Sequence, residues 1–344
     1  MVDLTMGPHG MSIGSGQDHN SFPWRVLAVL GAVVLAWPGP LDGQGAVDPN
    51  VVPRATALVR EGRRTDATEL LGHYLAIAPG DGRAWFHLGR LYLIGSREWH
   101  AAGHTGDPSG PLLLDLSAVA LDQALQLNVD SSIVFRGMVD MDRDLIALER
   151  DGWEAARSRR PAMERYRLPD YLLELGVNLL GSCPANGVLV TGSDLETVAV
   201  WYASVERGVR KDVMPLVPRL YATDSLYRRQ LADAFGVDQS WPVQRALVKV
   251  AERRPLCLTP FAERAAAPLP EWQPMRLVIA SGAHVALTND VLTVTSLLRE
   301  LSGTGSVWSQ GARDIYAQAA KENILLCRGI LAVLGDPLPA ACGQ

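Results

Sequence analysis

The sequence has no dense run of lysine or arginine. Its 32 basic side chains are outnumbered by 37 acidic ones, for a net charge of −5. That balance excludes a broad nucleic-acid surface, because phosphate binding needs a basic face. Cysteine is scarce, at four in 344 residues, and no two cysteines stand as the CxxC pair of a zinc or redox site. HExxH is absent, as is the glycine spacing of a dinucleotide fingerprint. Residues 302–306 lack the lysine of a phosphate loop and follow a predicted helix rather than a strand, so they read as a linker. With these signatures missing, no cofactor is implied. The composition that remains, 48% hydrophobic and 20% charged, is ordinary for a globular fold.

No apolar run before the folded body reaches the ~20 residues that span a bilayer. The run at 26–37 follows Arg25 and is closed by Pro38, Gly39 and Pro40. Its length is that of a signal-peptide core, and Gly43, Gly45 and Ala46 offer a cleavage region. Residues 1–46 are therefore expected to be a signal peptide or, if uncleaved, an N-terminal anchor. Either reading puts the body outside the cytoplasm, in the periplasm or cell envelope, with membrane contact only through that segment. An exported chain permits disulfides. Cys183 and Cys257 lie at or beside predicted buried strands, where a free thiol packs as a small hydrophobe. Cys327 and Cys342 could join the last helix to the C-terminal tail.

What the sequence does contain is a helical spacing. Ala67, Leu71, Tyr74 and Pro79 are followed by Trp85, Leu88, Gly89 and Tyr92. This resembles the tetratricopeptide (TPR) pattern, in which the last helix of one repeat hands over to the first helix of the next. Thr65 or Asp66 is placed to cap the first of these helices. Gly89 sits where paired helices approach closely. Residues 95–111 hold several glycines and prolines and read as a loop inserted within the second repeat. Ala120, Leu121, Ala124, Leu125 and Leu127 then recover the pattern. About two and a half repeats result, near the minimum for a stable stack. Residues 51–166 are therefore expected to be a TPR-like helical region that leans on the domain C-terminal to it. The inserted loop carries Glu98, Trp99, His100, His104 and Asp107. Two histidines four apart could share a helix face and a metal, but Gly103, Gly106 and Pro108 argue for a solvated loop, and no metal site is assigned.

Residues 168–290 change character. Short apolar strands at 188–191, 213–217, 255–259 and 275–280 alternate with helices, which predicts a small, mostly parallel sheet covered by helices. Residues 291–344 add C-terminal helices and a tail. The fold class is thus α/β plus all-α. In an open parallel sheet, ligands bind beyond the carboxyl ends of strands. Thr191, Ser193, Asp194 and Glu196 lie at such an end and open a helix, with Arg219 and Asp224 after the second strand. Thr259 follows the third strand, and Ser281 and His284 the fourth. Ser193 with Glu196 also makes a capping box, which needs no ligand.

The stretch GVLVTGSDLETVAVWYASVERGVRKDVMPLVPRLYATDSLYRRQL resembles the soluble C-terminal part of bacterial multi-pass membrane proteins of the DUF2723 family. That family is similar to protein O-mannosyltransferases. The matching positions are Gly192, Asp194, Glu196, Thr197, Trp201, Tyr202, Gly208, Arg210, Asp212, Val213 and Tyr227, and the resemblance covers residues 185–281. It implies a fold and an envelope setting. It does not carry glycosyl transfer, because the many membrane spans are missing and Ser193 stands where an acidic or amide residue is common. Trp201 and Tyr202 read as helix packing. The expectation is a non-catalytic adaptor that binds a protein partner through its helical repeats. The alternative is an enzyme or enzyme subunit acting on a glycan or nucleotide-sugar-like ligand, with Asp194 and Glu196 as its carboxylates.

Overall fold

The computed structural model describes residues 48–102, 108–153, 158, 165–286, 291–303 and 305–335. The expected signal peptide, His104, Asp107 and Cys342 lie outside these residues. Among the described residues no helix is long and apolar enough to cross a membrane.

Five helices come first: α1 Val51–Arg60, α2 Arg64–Ile77, α3 Gly82–Ala101, α4 Ser109–Gln126 and α5 Ser132–Asp151. Asp81 caps α3, its carboxylate accepting from the amides of Arg83 and Ala84 at 3.0 and 3.1 Å. Its other oxygen accepts from the Tyr74 hydroxyl at 3.0 Å, and that hydroxyl accepts from the Asp48 amide, which ties the entries of α1 and α3 together. The expected cap of α2 differs. The helix begins at Arg64 without a side-chain cap, and Asp66 instead pairs with Arg63 at 2.7 Å. Ala67, Trp85, Leu88, Gly89 and Tyr92 are buried. Exposed Pro79 contributes its carbonyl, which accepts from the Trp85 indole at 2.8 Å. A Cβ on Gly89 would lie 2.7 Å from Leu121 Cγ, so glycine permits the close approach of α3 and α4.

The segment expected to be a loop at 95–111 is helical at both of its described ends. Residues 95–101 form the last turns of α3, and α4 already begins at Ser109. Gly95 costs a helix only about 1 kcal/mol relative to alanine, and the turn it sits in is fastened by tertiary bonds. Ser96 donates to the Gly110 carbonyl at 3.0 Å, and Arg97 forks onto Asp142 at 2.6 and 3.0 Å.

After α6 (Asp170–Ser182) come β1 (Val188–Val190) and α7 (Asp194–Trp201), which runs on as a π turn through Glu206. β2 (Met214–Leu216), α8 (Pro218–Thr223), α9 (Ser225–Phe235), α10 (Val243–Ala251) and β3 (Pro255–Leu258) come next. β4 (Gln273–Met275) and β5 (Val278–Gly282) form a hairpin, and α11 (Thr295–Ser302), α12 (Val307–Glu322) and α13 (Ile324–Leu334) complete the described chain.

The five-stranded sheet has the order β2-β1-β3-β5-β4. β1 is parallel to β2 and β3, whereas β5 is antiparallel to both β3 and β4, so the sheet is mixed rather than mostly parallel. Side chains alternate between its faces. Leu189, Cys257 and Ala280 enter one core with α6, α7 and α12. Val188, Val190, Leu216, Leu256 and Leu258 enter a second core with α9 and α10. The first core also contains Leu93, Leu121, Val134 and Met138, so the helical region and the α/β region are packed around common apolar side chains. The described residues all belong to one compact unit.

Cys183 and Cys257 are not free thiols. They form a disulfide from the end of α6 to β3. Cys327 is disulfide-bonded as well, to a partner outside the described residues.

Candidate functional site

β1, β2 and β3 run the same way, so the segments after their carboxyl ends meet at one edge of the sheet. There they surround a cleft of about 310 Å³. Thr191, Ser193 and Asp194 follow β1, Arg219 follows β2, and Phe261 and Glu263 follow β3. The helical layer supplies the remaining wall with Arg97 from α3 and Met138 and Met141 from α5.

The predicted residues divide by role. Thr191 is buried and its hydroxyl is shared with that of Thr197 at 2.8 Å. Ser193 is the N-cap of α7: its hydroxyl accepts from the Glu196 amide at 3.3 Å and donates to the Glu196 carboxylate at 3.0 Å. Glu196 is fully buried and is absent from the cleft lining. One of its oxygens accepts from the amides of Gly192 and Ser193, the other from the amide of Phe261. Burial pushes its carboxyl up from the ordinary range, against the pull of these donors. The capping box is therefore present, and Glu196 serves the loop rather than the cleft.

Asp194 and Arg219 are different. Both are exposed and line the cleft. Among the described residues neither side chain takes part in a hydrogen bond or an ion pair. Arg97 brings a third charge. Burial works against its guanidinium, but Asp142, with Asp194 beyond it, more than offsets this and raises its pKa.

Asp224 belongs to a neighbouring cleft, also about 310 Å³, lined by Glu98, Arg97, His100, Asp142, Thr223 and Asp224 among others. Arg97 and Arg219 border both. The Asp224 carboxylate caps α9, one oxygen accepting from the amides of Leu226 and Tyr227 at 2.9 and 3.0 Å. Its other oxygen lies 3.8 Å from His100 Nε2. His100 is hydrogen-bonded to Glu149, whose carboxyl is lifted to about 7 by burial and by the like charge of Asp224, against the opposing pull of His100. His100 is raised in turn, chiefly by its bond to Glu149.

Ser281 and His284 do not join the site. Because β5 is antiparallel, Ser281 pairs with Leu256 near the start of β3, at the opposite end of the sheet. Thr259 does contribute, its hydroxyl accepting from the Gly192 amide at 3.2 Å. Trp201 and Tyr202 are buried, and the Trp201 indole donates to Asp144 at 3.1 Å. Arg210 reaches the carbonyls of Leu180 and Cys183 and pairs with Asp212, which fastens the end of α6 to the entry of β2.

Spacing and motif alone do not single out Arg97 or Glu149. The signal that could have found them is the row of acids on α5. Asp140, Asp142, Asp144 and Glu149 are all buried, on both sides of the helix, and buried charges demand partners. No family model matches the chain, and no curated protein or solved structure matches it.

Proposed function

We propose that the chain is an exported, non-catalytic binding protein that holds a small anionic, polar ligand in the cleft at the carboxyl ends of β1, β2 and β3. The observation that carries this reading is the cleft itself, with the uncommitted Arg219 and Asp194 at its rim and Arg97 in its wall. A guanidinium favours a carboxylate or phosphate group, and a neighbouring carboxylate favours hydroxyl or amine donors, so sugar acids and sugar phosphates suit the pair. Export is supported by the oxidised Cys183–Cys257 pair, since disulfides persist in oxidising compartments. The enzyme alternative loses one of its two carboxylates, because Glu196 is spent on backbone amides.

In this reading α1 to α5 are TPR-like hairpins, supported by the burial of Ala67, Trp85, Leu88, Gly89 and Tyr92. Protein docking is the second role, favoured by Leu112 and Val119, which are exposed seven residues apart on α4. The inner side of α5 is covered by the chain's own α/β region: Gly137 lies against Val198, and Met138 and Val139 share the core with α6 and α7. A partner would accordingly meet the outer face.

The test is a thermal-shift panel on the full chain with inorganic phosphate, glucose 1-phosphate, glucuronate and UDP-glucose. A rise in melting temperature with at least one anion, lost in Arg219→Ala, is expected. No shift with any of the four contradicts the reading.

A further inference from the structure

Three side chains from separate elements meet beside the second cleft, which His100 and Asp224 line. His100 is in the last turn of α3, Glu149 in the last turns of α5, and Asp224 at the N-cap of α9. One potential ligand atom from each lies within 4.8 Å of the other two. We propose that His100, Glu149 and Asp224 form a binding site for a divalent cation of the zinc type.

The two carboxylates are the first reason. The Glu149 side chain is only 3% exposed. One of its oxygens bonds to His100, while the other, Oε1, is buried with no partner. A buried carboxylate oxygen left unsatisfied is costly, and in native proteins such an atom calls for an ion or a water. An imidazolium would face two carboxylates at once, bonded to Glu149 Oε2 and 3.8 Å from Asp224 Oδ2, and would leave Oε1 without a donor. The Arg97 guanidinium, which also lines this cleft, is already forked onto Asp142.

Pre-orientation is the second. Asp224 Oδ1 is held by the Leu226 and Tyr227 amides, which turns Oδ2 toward His100. Gln230 donates to the Glu149 carbonyl at 3.0 Å and steadies the end of α5. Outer bonds of this kind fix the direction of ligating groups.

The donor set decides the class. One imidazole nitrogen and two carboxylate oxygens suit Zn²⁺, with bonds of about 2.0–2.2 Å and a fourth position for water. Donors around such an ion stand about 3.3 Å apart, so binding would separate His100 from Glu149 slightly and draw Asp224 Oδ2 inward from 3.8 Å. The cleft beside them, open at Thr223 and Glu98, provides the entry path and space for the water. The site is independent of the ligand proposed for the first cleft.

The probe is ZnCl₂, titrated calorimetrically into the full chain after chelator treatment and dialysis. Saturable uptake of one ion per chain is expected, with affinity falling at least tenfold in His100→Ala and in Asp224→Asn. The Asp224→Asn side chain keeps the oxygen that caps α9, so it guards against a result caused by unfolding. His73→Ala, at an exposed histidine of α2, should leave uptake unchanged. Co²⁺ substitution should give a visible absorption band that His100→Ala abolishes. No saturable uptake overturns the proposal, as does uptake that both His100→Ala and Asp224→Asn leave intact, which would mark binding by histidines elsewhere in the chain.

Discussion

Glu196 Oε1 accepts a hydrogen bond from the Phe261 amide at 3.1 Å, joining the start of α7 to the loop after β3 across 65 residues of sequence. Its Oε2 gathers the Gly192 and Ser193 amides at 3.1 and 2.8 Å. One buried carboxylate thus shapes two of the three loops around the cleft. Glu196→Ala strands the Ser193 and Phe261 amides, while the Thr259 hydroxyl still accepts from Gly192, and should cost at least about 2 kcal/mol. Asp194→Asn, two residues earlier and exposed, should leave stability within about 0.5 kcal/mol. Urea unfolding of both variants checks this. Equal stability losses would show that Glu196 is not the fastening point.

Gly176 brings α6 onto α7. A Cβ there would sit 2.1 Å from the Ala199 carbonyl oxygen and 2.9 Å from Ala203 Cβ. Backbone cannot yield as a flexible side chain does, so Gly176→Ala should destabilise by about 3 kcal/mol or more. Gly72, in α2 with nothing within 4 Å of its would-be Cβ, is the comparison. Gly72→Ala should be neutral or gain up to about 1 kcal/mol from helix propensity. Gly176→Ala should lower the melting temperature while Gly72→Ala does not, and a matched pair of curves would contradict the close approach.

The Cys183–Cys257 bridge closes a segment of 74 residues that contains β1, β2 and the helices between them. Loop-closure entropy for that span corresponds to about 4 kcal/mol. Cys183→Ala with Cys257→Ala should lower the denaturation midpoint by a corresponding amount under oxidising conditions. The gap should vanish once the wild type is compared under reducing conditions with Cys327 also reduced in both. An unchanged midpoint in the double variant would contradict a stabilising bridge.

Glu206 makes stability depend on pH. Burial lifts its carboxyl to about 8, with Asp144 and Asp140 adding to the lift and Arg165, 3.4 Å away, opposing it. Between its ordinary value of 4.5 and about 8, the folded chain keeps a proton that the unfolded chain releases. Stability from this group is therefore present at low pH and drains as pH rises through that window. Glu206→Gln removes the titration. Relative to that variant, the wild type should lose roughly 5 °C of melting temperature between pH 5 and 9. Parallel melting-temperature profiles would contradict the assignment.

Much of the helical layer was legible because its signals are local. Trp85, Leu88, Gly89 and Tyr92 announce a buried helix face by spacing alone, and all four are buried. Ser193 and Glu196 announce a capping box, and both of its bonds are present. What failed depended on partners distant in sequence. Gly95 looked like a loop signal, but Arg97 finds Asp142 45 residues away and holds the helix through it. The direction of β5 could not be read from an apolar run, since the same run suits either pairing. That direction took Ser281 and His284 out of the site. Cys183 and Cys257 are apolar-looking in sequence and become a bridge only because β3 lies beside β1. The division of labour at the site was equally hidden. Asp194 and Glu196 are two residues apart, and only the position of the Phe261 loop shows that one faces the cleft and the other is sealed beneath it.

The most direct test of the strand-end cleft is calorimetric titration of wild type, Arg219→Ala and Glu263→Gln with whichever of phosphate, glucose 1-phosphate, glucuronate and UDP-glucose gives the largest thermal shift. Saturable binding to the wild type is expected, at least tenfold weaker in Arg219→Ala, with Glu263→Gln, which removes a like charge from the lining, binding the anion no more weakly than wild type. Binding that is indifferent to Arg219→Ala, or no binding by the wild type, would contradict the proposed role of the cleft.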